Sequence, residues 1–218
     1  MRKRIGIICL IVGAVLILSA LLLFFFTRLT DHNAGKQAEA MLDDIREEIK
    51  LRMENTGEND TPDTGTTDSS AGAEDTSPSD ESTDMPVFEI NGNGFVGYLT
   101  IPALSLELPV LSEWNGDYAK LNIAPCRHFG STITDDLVIA GHNYTSHFAY
   151  LSELSVGHTI IFTDMNGNAV TYSIEKFEVV DPDKVDYIKN SGYDLVLYTC
   201  TYSGSTRFTV FANRITEN

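Results

Sequence analysis

From Ile5 to Phe26 the chain runs 22 residues without a charge. As a helix such a run spans roughly 30 Å, the thickness of a bilayer core. Arg2, Lys3 and Arg4 precede it, so the excess of positive charge places the N-terminus on the cytoplasmic side. A cleaved signal peptide has an apolar region of about 7–15 residues followed by small residues. This run is longer and ends in the bulky stretch Leu21 to Phe26. The expectation is an uncleaved, single-pass anchor over residues 1–30, with the rest of the chain outside the cell membrane.

Two further stretches are set apart before any core begins. Ala34, Ala38, Met41, Ile45, Ile49 and Met53 recur every three or four residues, the stripe of a short amphipathic helix. Residues 31–53 are therefore read as a juxtamembrane stalk helix, ahead of the sharper readings of a lid on the domain that follows or a dimerising coil. Residues 54–86 form an acidic linker rich in Ser, Thr and Gly. Ten acidic residues and no basic one lie between Glu54 and Asp84. Such a composition cannot bury enough apolar area to offset ordering entropy, so disorder is expected. That leaves 132 residues, 87–218, for one ordinary domain.

The net charge of −16 divides into +2 for residues 1–53, −10 for 54–85 and −8 for 86–218. A domain this acidic has no footprint for a phosphate backbone, which argues against nucleic acid as a partner. Of three cysteines, Cys9 lies in the apolar run. Cys126 and Cys200 alone make no disulfide framework.

The last 132 residues read mostly as strands: 95–101, 110–111, 137–140, 159–163, 169–180, 195–200 and 208–215 are rich in β-branched and aromatic residues. Asn166-Gly167 marks a hairpin. Helical candidates are short, at 118–121, 146–154 and 183–188. The fold class predicted is mostly β, a single closed β-barrel with few short helices.

Cys200 ends one strand, His142 follows another after Gly141, and Arg207 opens the last strand seven residues beyond Cys200. A thiol becomes a nucleophile when deprotonated, an imidazole gives or takes its proton, and a guanidinium stabilises an oxyanion. Each lies at a strand end, where a scaffold displays reactive groups.

Around these residues the sequence resembles the sortases. Val196-Leu197-Tyr198-Thr199-Cys200 is similar to their Thr-Leu-x-Thr-Cys signature, with Val196 in place of the first Thr. Val138-Ile139-Ala140-Gly141-His142 resembles the segment with their catalytic histidine, and Arg207-Phe208-Thr209-Val210 the strand with their arginine. Gly97 to Pro102, Leu108-Pro109-Val110 and His128-Phe129-Gly130-Ser131 resemble the upstream segments. The resemblance covers residues of about 95 to 215. It implies a membrane-bound cysteine transpeptidase of a Gram-positive-type envelope. Such an enzyme cleaves a C-terminal Leu-Pro-x-Thr-Gly sorting motif of secreted proteins between Thr and Gly. A thioacyl intermediate on Cys200 would pass to an amine of a peptidoglycan precursor or a pilin. His142 would be the general acid/base, Arg207 the oxyanion or substrate ligand, and Thr199 a substrate-binding residue. The 58-residue interval from His142 to Cys200 speaks against class B, and the lack of a second apolar run after Arg214 against class C, which favours the A, D or E classes. A pilin-polymerising enzyme and a non-catalytic tethered binding module are the alternative readings.

The rivals of these residues have plainer readings. Cys126 reads as a small buried residue, and His147 and His158 as surface residues. Arg214 falls on the opposite strand face from Arg207. Cys126, His128, His142 and His147 fit no familiar zinc spacing. Asp181, Asp183 and Asp186 lie where some class A sortases bind a regulatory calcium; neither this nor any other cofactor is assigned. Asn143-Tyr144-Thr145 is a formal glycosylation sequon, discounted for a bacterial envelope.

Overall fold

The computed structural model describes residues 2–57 and 84–216. The N-terminal helix α1 runs from Arg2 to Gly57. Nine strands follow: β1 (Phe88–Ile90), β2 (Asn93–Ile101), β3 (Leu106–Leu111), β4 (Cys126–Phe129), β5 (Leu137–Gly141), β6 (Thr159–Asp164), β7 (Ala169–Val180), β8 (Leu195–Cys200) and β9 (Arg207–Arg214). Helix α2 (Tyr118–Ile123) precedes β4 and α3 (Val185–Lys189) precedes β8. Most of the expected strand runs hold. β1 and β4 were not foreseen, and the helix expected over 146–154 shrinks to a 3-10 turn, Ala149–Glu153.

The strand order is β1-β2-β3-β4-β5-β8-β9-β7-β6, and β6 returns to pair with β2. Eight strands thus close a barrel, and β1 extends the edge of β2. Closure leaves the sheet without an exposed edge at that seam. Gly97 sits where β2 meets β6 with φ 147°, and a Cβ there would lie 2.0 Å from the Thr163 carbonyl oxygen. Only glycine permits that approach.

Strand alternation divides the core in two. Leu137, Ile139, Leu195, Leu197, Val210 and Ala212 fill the barrel with Leu99, Phe148 and Phe162. Val138, Ala140, Val196, Tyr198 and Phe211 belong to a second cluster, with Leu121, Cys126 and Ile188. Cys126, fully buried, is the small core residue expected.

The stalk expectation is corrected. Residues 34–53 are a helix, but not a free one: Ala34, Ala38, Leu42, Ile45 and Ile49 are all buried, Ile45 fully. Ala38 joins the barrel cluster, and Ile45 and Ile49 pack with Phe95 in the second. Arg46 bonds Glu107 and lies over Tyr98, Asp44 accepts from Asn91, and Arg52 covers the Phe88 ring at 3.4 Å. Met41 and Met53 fall at the margin, and Met53 stands exposed. An apolar stripe seeks an apolar face, and the β1–β3 surface supplies one. Met85, placed by the sequence in the linker, is also buried, and Asp84 beside it pairs with Arg127. The folded unit therefore includes residues 34–53 and begins its second segment by Asp84, not at 87. The disorder expected for residues 58–83 lies outside the described residues.

Among the described residues no helix is long and apolar enough to cross a membrane. In the expected anchor, the large apolar side chains described begin at Val12 and stand exposed through Phe26.

Candidate functional site

Three adjacent strand ends build the site. β5 and β8 run parallel with Gly141 opposite Thr199, so the next residues, His142 and Cys200, leave neighbouring strands at the same rim. β8 and β9 run antiparallel, and Cys200 is paired directly with Arg207. Gly141 points into the barrel, where a Cβ would meet the Phe148 ring at 2.4 Å; alternation then sends His142 outward. Cys200, two and four residues after Tyr198 and Val196 of the outer cluster, faces outward too. All three residues expected from the sequence thus share one end and one face.

Local bonds hold this rim. The Asn143 side-chain amide donates to the Cys200 carbonyl at 3.1 Å, tying β5's exit to β8's end. Phe148 N–H donates to the His142 carbonyl at 3.1 Å, closing the loop. Between Cys200 and Arg207 the turn is as tight as the seven-residue interval demands: Thr201 N–H donates to the Thr206 carbonyl and Gly204 N–H to the Thr201 carbonyl. The Arg207 guanidinium donates to the carbonyls of Gly204 and Thr206, both at 3.2 Å.

The electrostatics separate the two thiols and set the imidazole. Burial pushes the Cys126 thiol up to about 12, which keeps it protonated and inert. Cys200 is only partly buried. Burial lowers the His142 pKa below its ordinary 6.5, favouring the neutral imidazole that can accept a thiol proton.

Beside Arg207 opens a cleft of about 260 Å³, lined by Trp114, Tyr118, His128, Val185 and Tyr198 among others. The Tyr198 hydroxyl is 2.7 Å from His128 Nδ1. Trp114 meets the His128 ring edge-on at 4.8 Å. Burial takes the His128 pKa down to about 4, so this ring is neutral. A larger cavity of about 600 Å³ lies between α1 and β3, lined by Leu42, Arg46 and Leu108. The smaller cleft is the one that adjoins the Cys200–Arg207 strand pair, through Arg207. Sequence reasoning missed its aromatic wall. Tyr198 was legible, since it shares a face with Cys200 two residues away; Trp114 and Tyr118 come from distant segments.

Three sequence expectations change here. Thr199 is buried in the barrel interior, 4 % exposed, with no hydrogen-bond partner for its hydroxyl. Alternation turns its side chain away from Cys200, so it does not reach the cleft. His147 is fully buried rather than on the surface. His158 is half-buried, its Nδ1 accepting from Ser155 N–H. Arg214 points to the other face, as expected, and pairs with Asp135 at 2.6 Å. Among the described residues, no group of three or more His, Cys, Asp or Glu is placed to hold a metal ion.

A closed barrel that brings a partly exposed thiol, a neutral imidazole and a guanidinium to adjacent strand ends is equipped for acyl transfer through a thioester. Residues 99–215 match the family model of the sortase domain, and the chain belongs to that family. It is 29 % identical over 109 residues to sortase A of Bacillus anthracis, a match covering 48 % of this chain. The chain spans about half (51 %) of that curated relative's length. Among solved structures, sortase A of Corynebacterium diphtheriae superposes with a TM-score of 0.51 at 22 % identity, covering 58 % of this chain and 63 % of that one. The sortase D5 transpeptidase of Clostridium perfringens gives 0.56 at 16 % identity, covering 83 % of this chain and 99 % of that one. At these identities the two structures establish the barrel fold.

Proposed function

We propose that this chain is a cysteine transpeptidase that cuts a C-terminal sorting motif of the Leu-Pro-x-Thr-Gly type between Thr and Gly and passes the acyl group to an amine. The observation that carries this reading is the Cys200–Arg207 strand pair with His142 leaving the neighbouring parallel strand.

His142 takes the Cys200 proton, and the thiolate adds to the threonine carbonyl carbon. The oxygen of the tetrahedral intermediate takes the negative charge. Arg207, swung from its loop carbonyls, donates to it. Collapse breaks the Thr–Gly C–N bond, and imidazolium returns its proton to the leaving glycine amine. The acyl group is then a thioester on Cys200. An incoming amine attacks this carbonyl, gives its proton to His142 and displaces the Cys200 thiolate, which recovers a proton. The amine of a peptidoglycan precursor or a pilin subunit fits the last step. Secreted proteins bearing a C-terminal sorting signal supply the first. The motif's apolar residues fit the aromatic cleft beside Arg207.

The anchor belongs to the same reading. Its support is in the sequence: the uncharged run Ile5–Phe26 preceded by Arg2, Lys3 and Arg4. Inserted with its basic N-terminus in the cytoplasm, α1 places the barrel on the extracellular side.

The test uses the full chain in detergent with a fluorogenic Leu-Pro-x-Thr-Gly peptide and a glycine-based amine. Cleavage at Thr–Gly, a thioacyl adduct on Cys200 and amine-dependent product by mass spectrometry are expected. An intact peptide across a library of related motifs would overturn the reading.

A further inference from the structure

We propose that Tyr144, tied down by Asn122, is a positioning residue that clamps the imidazole of His142 at the angle needed over Cys200. The inference rests on the reading of His142 as the acid/base, and it adds residues that the sequence motifs do not contain.

The Tyr144 and His142 rings are stacked, with centroids 4.4 Å apart and planes at 11°. Stacking between residues two apart requires the loop to double back, and the backbone does so. The Tyr144 carbonyl accepts from His147 N–H at 2.9 Å and Ala149 N–H at 3.1 Å, while the His142 carbonyl accepts from Phe148 N–H. The Tyr144 ring is fixed at its far end as well, where its hydroxyl donates to Asn122 Oδ1 at 2.8 Å. Asn122 lies on α2, whose Leu121 is buried in the second core cluster, so the tie runs to a packed element. Asn143, between the two rings in sequence, holds the Cys200 carbonyl. One side of the loop thus grips the β8 strand end and the other grips α2, and the imidazole stacks on the ring that reaches α2.

An imidazole at a loop start has two free torsions, and a serviceable proton relay needs one setting of them. A misplacement of about 1 Å can cost about 10²-fold in rate. A flat ring laid on the imidazole face removes the swing without taking a ring nitrogen, which a hydrogen-bonding partner would do. Both nitrogens stay available for proton transfer.

The experiment compares Tyr144→Ala, Tyr144→Phe, Asn122→Ala and the Tyr144→Phe/Asn122→Ala double variant in the full chain. Turnover and KM are measured on the sorting peptide, and the His142 Cε1–H resonance by NMR. The expected result is a kcat loss of at least about tenfold in Tyr144→Ala with KM within about twofold. Tyr144→Phe restores most of that loss, Asn122→Ala matches it, and the double variant is no worse than either single one, as a shared bond requires. The stacked phenol shields His142 Cε1–H in the wild type and in Tyr144→Phe, and Tyr144→Ala moves the signal downfield. An unmoved resonance in Tyr144→Ala, or a raised KM with unchanged kcat, would overturn the proposal. So would additive losses in the double variant. Should Tyr144→Ala fold poorly, Tyr144→Leu, which keeps bulk but removes the stacked ring, takes its place with the same expected kcat loss and downfield shift. A wild-type chain that shows the shielded resonance but cuts no peptide overturns the proposed function and leaves the clamp standing.

Discussion

Cys200 and Arg207 face each other as the terminal antiparallel pair of β8 and β9. This sets the two backbones one strand spacing, about 5 Å, apart, with the guanidinium's donors on loop carbonyls that a substrate oxygen can replace. The arrangement asks for a planar fork at fixed distance, not merely for positive charge. Arg207→Lys is expected to lower turnover by about 10²–10³-fold, the loss typical of one oxyanion donor, with at least as large a loss for Ala. Arg214→Ala should leave turnover near normal and lower the melting temperature, since Arg214 pairs with Asp135 on the other strand face. Rates of peptide cleavage with circular dichroism decide it; a larger loss in Arg214→Ala would overturn the assignment.

The two thiols should separate chemically. Cys126 is fully buried with its pKa pushed up to about 12, and Cys200 is partly open. Brief iodoacetamide treatment at pH 8 should alkylate Cys200 first, as read by peptide mapping, and abolish turnover. Cys200→Ala should be inactive and Cys126→Ala should keep most activity. Preferential labelling of Cys126 would contradict the burial described.

Residues 34–53 should be needed for stability. Ile45→Ala removes a fully buried side chain between α1 and Phe95, a change that typically costs about 2–5 kcal/mol. Lys50→Ala, on the exposed side of the same helix, should stay within about 0.5 kcal/mol of wild type. Urea unfolding of both variants is the measurement. Equal midpoints would show that α1 does not dock on the barrel in solution.

Acid should destabilise the fold through His128. Above pH 6.5 this imidazole is neutral both folded and unfolded. Below it, the unfolded chain binds a proton that the folded one refuses until about pH 4. Stability contributed by the neutral ring is therefore complete above pH 6.5 and falls as pH drops toward 4. His128→Gln should flatten melting temperature against pH across that window, in differential scanning calorimetry at half-unit steps. An unchanged slope would mean that His128 is more hydrated than its contacts with Trp114 and Tyr198 imply.

His142 is expected to leave a kinetic mark of the same sign. Burial favours its neutral form, so the base stays competent below pH 6.5. The acid limb of kcat/KM should lie below that value, and Tyr144→Phe should retain it. A limb at or above pH 6.5 would argue that the imidazole is better solvated, or charged by a neighbour.

What could be read from the chain alone was what is local. The alternation along β9 separated Arg207 from Arg214 before any fold was known, and the short interval from Cys200 to Arg207 required the tight turn that is found. The β-branched runs gave most strands, and the resemblance around His142 and Cys200 named the pair. The apolar stripe on residues 34–53 was visible too, but a stripe states only that a helix has something to bury. Whether that is a second helix, a membrane or the β1–β3 face depends on which surfaces the chain later brings near, and the tertiary structure chose the barrel. The same limit explains Thr199: its place in a motif says nothing of which way it points, whereas pairing of β5 with β8 across more than fifty residues fixes Thr199 inward and Cys200 outward. Trp114, Tyr118 and His128 reach one cleft from separate segments, and His147 is buried by contacts that no local pattern encodes. Period and turn chemistry act over a few residues. Closure of the barrel and docking of α1 are set by burial of surfaces far apart in sequence, and barrel closure brought His142, Cys200 and Arg207 to adjacent strand ends.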